Sequence, residues 1–84
     1  MAKVKIYTWN HCPYCINAKR LLENKEIKYY EYSIENDNIK YKELCSKTNQ
    51  NTVPFIFINN IFIGGYNELR RLETLGKLDK MLNI

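Results

Sequence analysis

Two cysteines, Cys12 and Cys15, stand with two residues between them at the point where the periodicity of the chain changes. Upstream, Val4-Lys5-Ile6-Tyr7-Thr8 alternates apolar and polar side chains and is rich in strand formers, the period-two pattern of a strand. Downstream, Cys15, Ala18, Leu21 and Leu22 fall on one face at helical spacing, and Pro13 suits a first helical turn, where its missing N–H is not needed. A cysteine pair at a strand-to-helix handover restricts the fold to architectures that expose the start of a helix beside the end of a strand.

The rest of the chain continues the alternation. Ile27–Ile34, with Tyr29, Tyr30 and Tyr32, is predicted as a second strand, and Glu35–Thr48 as a second helix with Ile39, Leu44 and Cys45 facing inward. Strands joined through a helix are expected to be parallel, with a right-handed crossover. The pattern then changes. Pro54–Ile58 and Ile61–Ile63 are strand-like runs separated by Asn59-Asn60, residues that tolerate the positive φ of a tight hairpin turn. Gly64-Gly65 ends the last strand, Asn67 is the expected N-cap of a helix carrying Leu69, Leu72 and Leu75, and Gly76 divides it from a short terminal helix with Met81 and Leu82. The reading is an α/β chain of order βαβαββα, a single domain over residues 1–84, 45% hydrophobic and 26% charged.

Composition excludes several functions. No apolar run is long enough for a signal peptide or a membrane span, so the expectation is a soluble cytoplasmic protein. Three cysteines are an odd number and do not suggest a disulfide framework. The net charge of +4 is scattered, with short pairs such as Lys19-Arg20 and Arg70-Arg71 rather than a basic block, and no nucleic-acid motif accompanies it.

The cysteine pair itself is suited to redox chemistry. The spacing places two sulfurs within about one helical turn, near enough to close a small disulfide and to reopen it without unfolding. Cys12, at the helix start, faces unpaired N–H groups and the positive end of the helix dipole, which favour a thiolate. Cys15, one turn inside, is expected to stay a thiol until it is needed. Cys12 is therefore the attacking sulfur, and Cys15 resolves the mixed disulfide. A structural zinc wants four ligands, and beyond this pair only Cys45 and His11 remain, without ligand spacing, so no metal is expected. Cys45 reads as a small core residue. His11 either supports a thiolate when protonated or is incidental, and Trp9 is either an aromatic lid or packing for the loop. Thr52-Val53-Pro54 precedes a strand, where proline belongs because it lacks a ladder donor.

The ordered set of a strand leading to Cys12-Pro13-Tyr14-Cys15, then Thr52-Val53-Pro54, then Ile63-Gly64-Gly65 before a helix, resembles the glutaredoxin family over essentially the whole chain, in its dithiol form. The resemblance implies a thioredoxin fold: a four-stranded mixed sheet in the order second, first, third, fourth strand, helices on both faces, and a cis bond before Pro54. It implies glutathione as reductant and a groove for the glutathionyl part of a mixed disulfide. There Thr52 and Val53 offer backbone hydrogen bonds, Tyr14 and Pro54 line the wall, and Gly65, Tyr66 and Asn67 receive the γ-glutamyl carboxylate at a helix N-terminus. Implied partners are glutathionylated proteins and protein disulfides, ribonucleotide reductase among them, acted on by a monomer. Two other uses of such a scaffold are an iron-sulfur carrier in which two protomers and two glutathiones hold a cluster, and a redoxin reduced by a flavin reductase. The chain departs from the family at Trp9, where a lysine is frequent, at Tyr41, where glutamine or arginine is frequent and Lys40 is a neighbouring substitute, and at Tyr66-Asn67-Glu68.

Overall fold

The computed structural model describes residues 2–83. Its elements are β1 (Val4–Thr8), α1 (Pro13–Asn24), β2 (Tyr30–Ser33), α2 (Asn38–Thr48), β3 (Phe55–Ile58), β4 (Ile61–Gly64), α3 (Tyr66–Thr74) and α4 (Lys77–Leu82). The strands form one mixed sheet in the order β2-β1-β3-β4. β1 pairs in parallel with β2 and antiparallel with β3, and β3 pairs antiparallel with β4. This is the thioredoxin fold.

Side-chain alternation along β1 and β3 builds a core on each face of the sheet. Val4, Ile6, Ile56 and Ile58 point to one side, where Ala18 and Leu22 of α1, Leu69 of α3 and Leu78 and Leu82 of α4 close over them. Phe55 and Phe57 point to the other, where they meet Leu44 of α2 together with Ile34, Val53 and Cys15. β3 is therefore buried along its whole length, which explains its uninterrupted Phe-Ile-Phe-Ile run. Cys15 lies in the first turn of α1 yet packs with the α2-side cluster.

The β3–β4 hairpin turns through Asn59 and Asn60 at φ 51° and 67°, the pair of positive values that a two-residue turn demands and that asparagine tolerates. Three sequence expectations shift. The second strand shrinks to Tyr30–Ser33, because β1 supplies partners only from Lys5 to Thr8; Ile27 and Tyr29 pack on the core without joining the ladder. The second helix starts at Asn38, capped by Asp37, whose carboxylate accepts the Lys40 N–H at 3.0 Å. That phase turns Leu44 inward and leaves Ile39 about 140° away on the helical wheel, 83% exposed rather than inward. The third helix starts at Tyr66 with Gly65 as its cap, so Asn67 lies inside the first turn instead of capping it.

Candidate active site

β1 delivers the chain to the site through Thr8, a fully buried residue whose hydroxyl donates to Glu31 Oε2 at 2.8 Å. Lys19 Nζ reaches the same oxygen at 3.0 Å. Burial opposes the charge on Glu31, but the Thr8 hydroxyl and the Lys19 ammonium prevail and hold its carboxyl below the ordinary range. This cluster fastens β2 and α1 beside the end of β1. The chain then leaves the sheet through Trp9, Asn10 and His11, turning at His11 with φ 58°, and enters α1 at Cys12.

Cys12 is the N-cap of α1, half-buried, and Pro13 occupies the first helical turn. The Cys12 Sγ accepts the backbone N–H of Cys15 at 3.4 Å, the contact a serine or aspartate oxygen makes at other helix starts. A thiolate at this sulfur accepts the same N–H and faces the positive end of the α1 dipole. Cys15 is 1% exposed. Its burial, followed by the neighbouring Cys12 sulfur, pushes its thiol up to about 12, against weaker opposing influences from the Trp9 backbone and Lys19. The two sulfurs are therefore unequal: one is presented to solvent at a helix terminus, the other is held protonated one turn behind it.

Beside the pair lies a groove of 370 Å³. Tyr14 from α1, Thr52, Val53 and Pro54 from the loop before β3, and Gly65, Tyr66 and Asn67 from the start of α3 all line it. Every groove residue singled out from the sequence is thus brought to one place, and Val53 also packs in the cluster that holds Cys12 and Cys15. The Val53-Pro54 peptide bond is cis. Among the described residues, no backbone group bonds to the N–H or carbonyl of Val53, so both remain free for an extended ligand. The Tyr14 and Tyr66 rings, 6.4 Å apart between centroids, bracket one end of the groove.

Two further residues line the groove: Gln50, which the sequence reading did not single out, and Glu68, which it named only as a departure from the family pattern. Gln50 Nε2 donates to the carbonyls of Thr52 at 2.6 Å and Pro54 at 3.0 Å, bracing the loop from beneath. Glu68, at the third position of α3, accepts the Gly65 N–H through Oε1 at 2.6 Å. The capping-box spacing could have revealed Glu68, had Gly65 carried a capping side chain. Nothing in the sequence points to Gln50.

The positions where the chain departs from the frequent family pattern are also defined. Trp9, 38% exposed, tilts against Tyr41 with ring centroids 5.5 Å apart. The Tyr41 hydroxyl donates to the Asn51 carbonyl at 2.6 Å, so an aromatic pair braces the loop from the α2 side. The Lys40 ammonium pairs with Glu43 at 3.1 Å and lies over the Tyr7 ring, and Lys40 is not among the residues that line the groove. Cys45 is half-buried against the α2-side cluster.

Comparison with known proteins agrees with this geometry. The family model described as glutaredoxin matches residues 4–63. Glutaredoxin 3 of Escherichia coli strain K12 is 42% identical over 82 residues, covering 98% of this chain and 99% of that protein. The solution structure of a dithiolic glutaredoxin from Trypanosoma brucei brucei superposes with a TM-score of 0.88 at 35% identity, over 95% of this chain and 86% of that one. The crystal structure of a buckwheat glutaredoxin–glutathione complex superposes with a TM-score of 0.93 at 26% identity, over 98% and 77%. A half-buried N-cap cysteine, a buried partner one turn behind it and a matching family over most of the length lead to one conclusion: this chain belongs to the glutaredoxin family and is a thiol-disulfide oxidoreductase.

Proposed function

We propose that the protein reduces glutathione mixed disulfides and protein disulfides, with glutathione as its electron source. The observation that carries this reading is the groove itself, in which Tyr14, Thr52–Pro54 and Gly65–Asn67 converge beside Cys12. Val53 offers a free N–H and carbonyl to the cysteinyl stretch of glutathione, which adds to the loop as a short strand would. The α3 N-terminus offers its amides to the γ-glutamyl carboxylate. The buckwheat relative whose structure is described as a glutathione complex supports the same ligand.

In the glutathionyl route, the Cys12 thiolate attacks the glutathione sulfur of a mixed disulfide. A new S–S bond forms between Cys12 and glutathione, and the substrate leaves as a thiolate that takes a proton from water. A second glutathione thiolate then attacks the bound glutathionyl sulfur, giving glutathione disulfide and free Cys12. In the dithiol route, Cys12 attacks a protein disulfide and forms a mixed disulfide with the substrate. Cys15 loses its proton and attacks Cys12, closing the Cys12-Cys15 disulfide and releasing reduced substrate. Once Cys12 is in a disulfide it no longer raises the Cys15 thiol, so the resolving sulfur becomes easier to ionise when it is required. Three cysteines without a structural bridge suit a reducing compartment, and we place the protein in the cytoplasm.

The test is turnover of a glutathionylated peptide with glutathione, glutathione reductase and NADPH. Cys12→Ser is expected to abolish it, whereas Cys15→Ser retains it and loses reduction of an intramolecular protein disulfide. A wild type inactive with glutathione but active with a flavin-dependent reductase would replace glutathione as the electron source.

A further inference from the structure

The groove beside Cys12 has a neighbour across Tyr66. The same ring walls a second groove of 430 Å³ between α1 and α3, with Asn17, Arg20 and Asn24 on one side and Arg70, Glu73 and Thr74 on the other. Its charge is one-sided. Arg20 and Arg70 are exposed, and neither pairs with a carboxylate among the described residues. Glu73, the one carboxylate in the lining, is held by Lys25 Nζ at 3.0 Å. Two guanidinium groups without carboxylate partners among the described residues thus line one groove from opposite helices, and that groove shares Tyr66 with the one beside Cys12.

Scale fixes what can lie there. Arg20 is about 9 Å along α1 from Tyr14, and Arg70 about 6 Å along α3 from Tyr66, at 1.5 Å per helical residue. An extended peptide advances about 3.3 Å per residue. A substrate chain whose cysteine reaches Cys12 and which crosses the Tyr14–Tyr66 pair therefore places residues about three to five positions away between the two arginines. We propose that the α1–α3 groove docks the protein substrate, selecting a segment with Asp or Glu three to five residues from the cysteine that reacts. The inference rests on the oxidoreductase reading and extends it from the sulfur to the peptide around it. Arg20 and Arg70 are specificity-determining rather than catalytic: they raise the encounter rate and orient the chain, and the exchange of S–S bonds proceeds at Cys12 as before.

The experiment uses the full chain carrying Cys15→Ser, so that reaction stops at the Cys12 mixed disulfide. Three peptides, each with one cysteine blocked by glutathione, carry Glu, Gln or Lys at the third to fifth positions on both sides of it. A small symmetric disulfide, bis(2-hydroxyethyl) disulfide, serves as the substrate without a peptide. At low ionic strength the Glu peptide is expected to react about fivefold faster than the Gln peptide, and the Lys peptide more slowly than either. Arg20→Gln with Arg70→Gln is expected to erase that preference while the small disulfide reacts at the unchanged rate. Equal rates for the Glu and Gln peptides, or a preference that survives the double substitution, would overturn the docking proposal while leaving the oxidoreductase reading intact. A double variant that slows the small disulfide equally would also overturn it, by showing that the arginines act on Cys12. Failure of every disulfide to react, the small one included, would refute the oxidoreductase reading itself.

Discussion

At the scale of single residues, the site works by keeping two identical side chains in unlike surroundings. Burial, reinforced by the Cys12 sulfur, raises the Cys15 thiol to about 12, so removing that sulfur is expected to lower it. In Cys12→Ser, the pH dependence of Cys15 alkylation, followed at that residue by mass spectrometry, should show a midpoint below that of the wild type yet still above the ordinary thiol value of about 8.5, because burial remains. An unchanged midpoint would mean that burial alone sets it. Gln50 offers a second check. Two hydrogen bonds from one amide hold the carbonyls of Thr52 and Pro54, and Gln50→Ala frees the loop that presents Val53. The expected result is a several-fold rise in KM for a glutathione mixed disulfide with kcat nearly unchanged, measured by steady-state kinetics. These two residues also mark how far the sequence could be read. The roles of Cys12 and Cys15 follow from helix position, which the local pattern reveals. Gln50 acts through carbonyls two and four residues away in a loop without periodicity, and no local pattern encodes that contact.

At the scale of elements, the same contrast holds. β1, α1 and the β3–β4 hairpin were legible, since each is set by alternation, helical spacing or the Asn59-Asn60 turn. The limits of β2 and the phase of α2 were not, because the first depends on the length of β1 and the second on the Asp37 cap. The β4-to-α3 junction shows how sharply one position can be set. Gly64 has φ 126°, and a Cβ there would meet Glu68 Cγ and Oε1 at 2.7 Å, displacing the carboxylate that accepts the Gly65 N–H. Gly64→Ala is expected to cost about 2–4 kcal/mol, the sum of backbone strain and a lost hydrogen bond, and to lower Tm by about 10 °C or more. Gly65→Ala is the control. Gly65 has φ −102°, and an added Cβ would find nothing nearer than 3.5 Å, so the expected cost is only that of alanine in place of glycine at an N-cap, about 1 kcal/mol or less. Similar losses in the two variants, measured by thermal unfolding, would remove the distinction drawn here.

At the scale of the whole molecule, α1 belongs at once to the site and to the scaffold. Its first turn carries the cysteines, and Lys25 at its C-cap reaches Glu73 of α3 at 3.0 Å and Asp79 of α4 at 2.6 Å. The lysine stem is mostly covered, but the pairs lie at the surface and the carboxylates are 36% and 48% exposed, so solvent screening limits the whole arrangement to about 1 kcal/mol. For a chain of this size, Lys25→Met should lower Tm at pH 7 by roughly 5 °C. Its pH dependence identifies the cause. Asp79 and then Glu73 raise the Lys25 ammonium above its ordinary value, so the contribution is fully present below about pH 10.5 and is lost as pH rises through the folded value. Cys15 titrates in the same region: the unfolded thiol ionises first and the folded one resists to about 12, so the wild type also loses stability there on that account. Both chains carry Cys15, and its contribution cancels in the comparison. The gap in Tm between wild type and Lys25→Met should therefore stay constant from pH 7 to about 10 and close at higher pH. A gap that persists undiminished above pH 11 would assign the loss to packing of the lysine stem rather than to the charge that joins three helices.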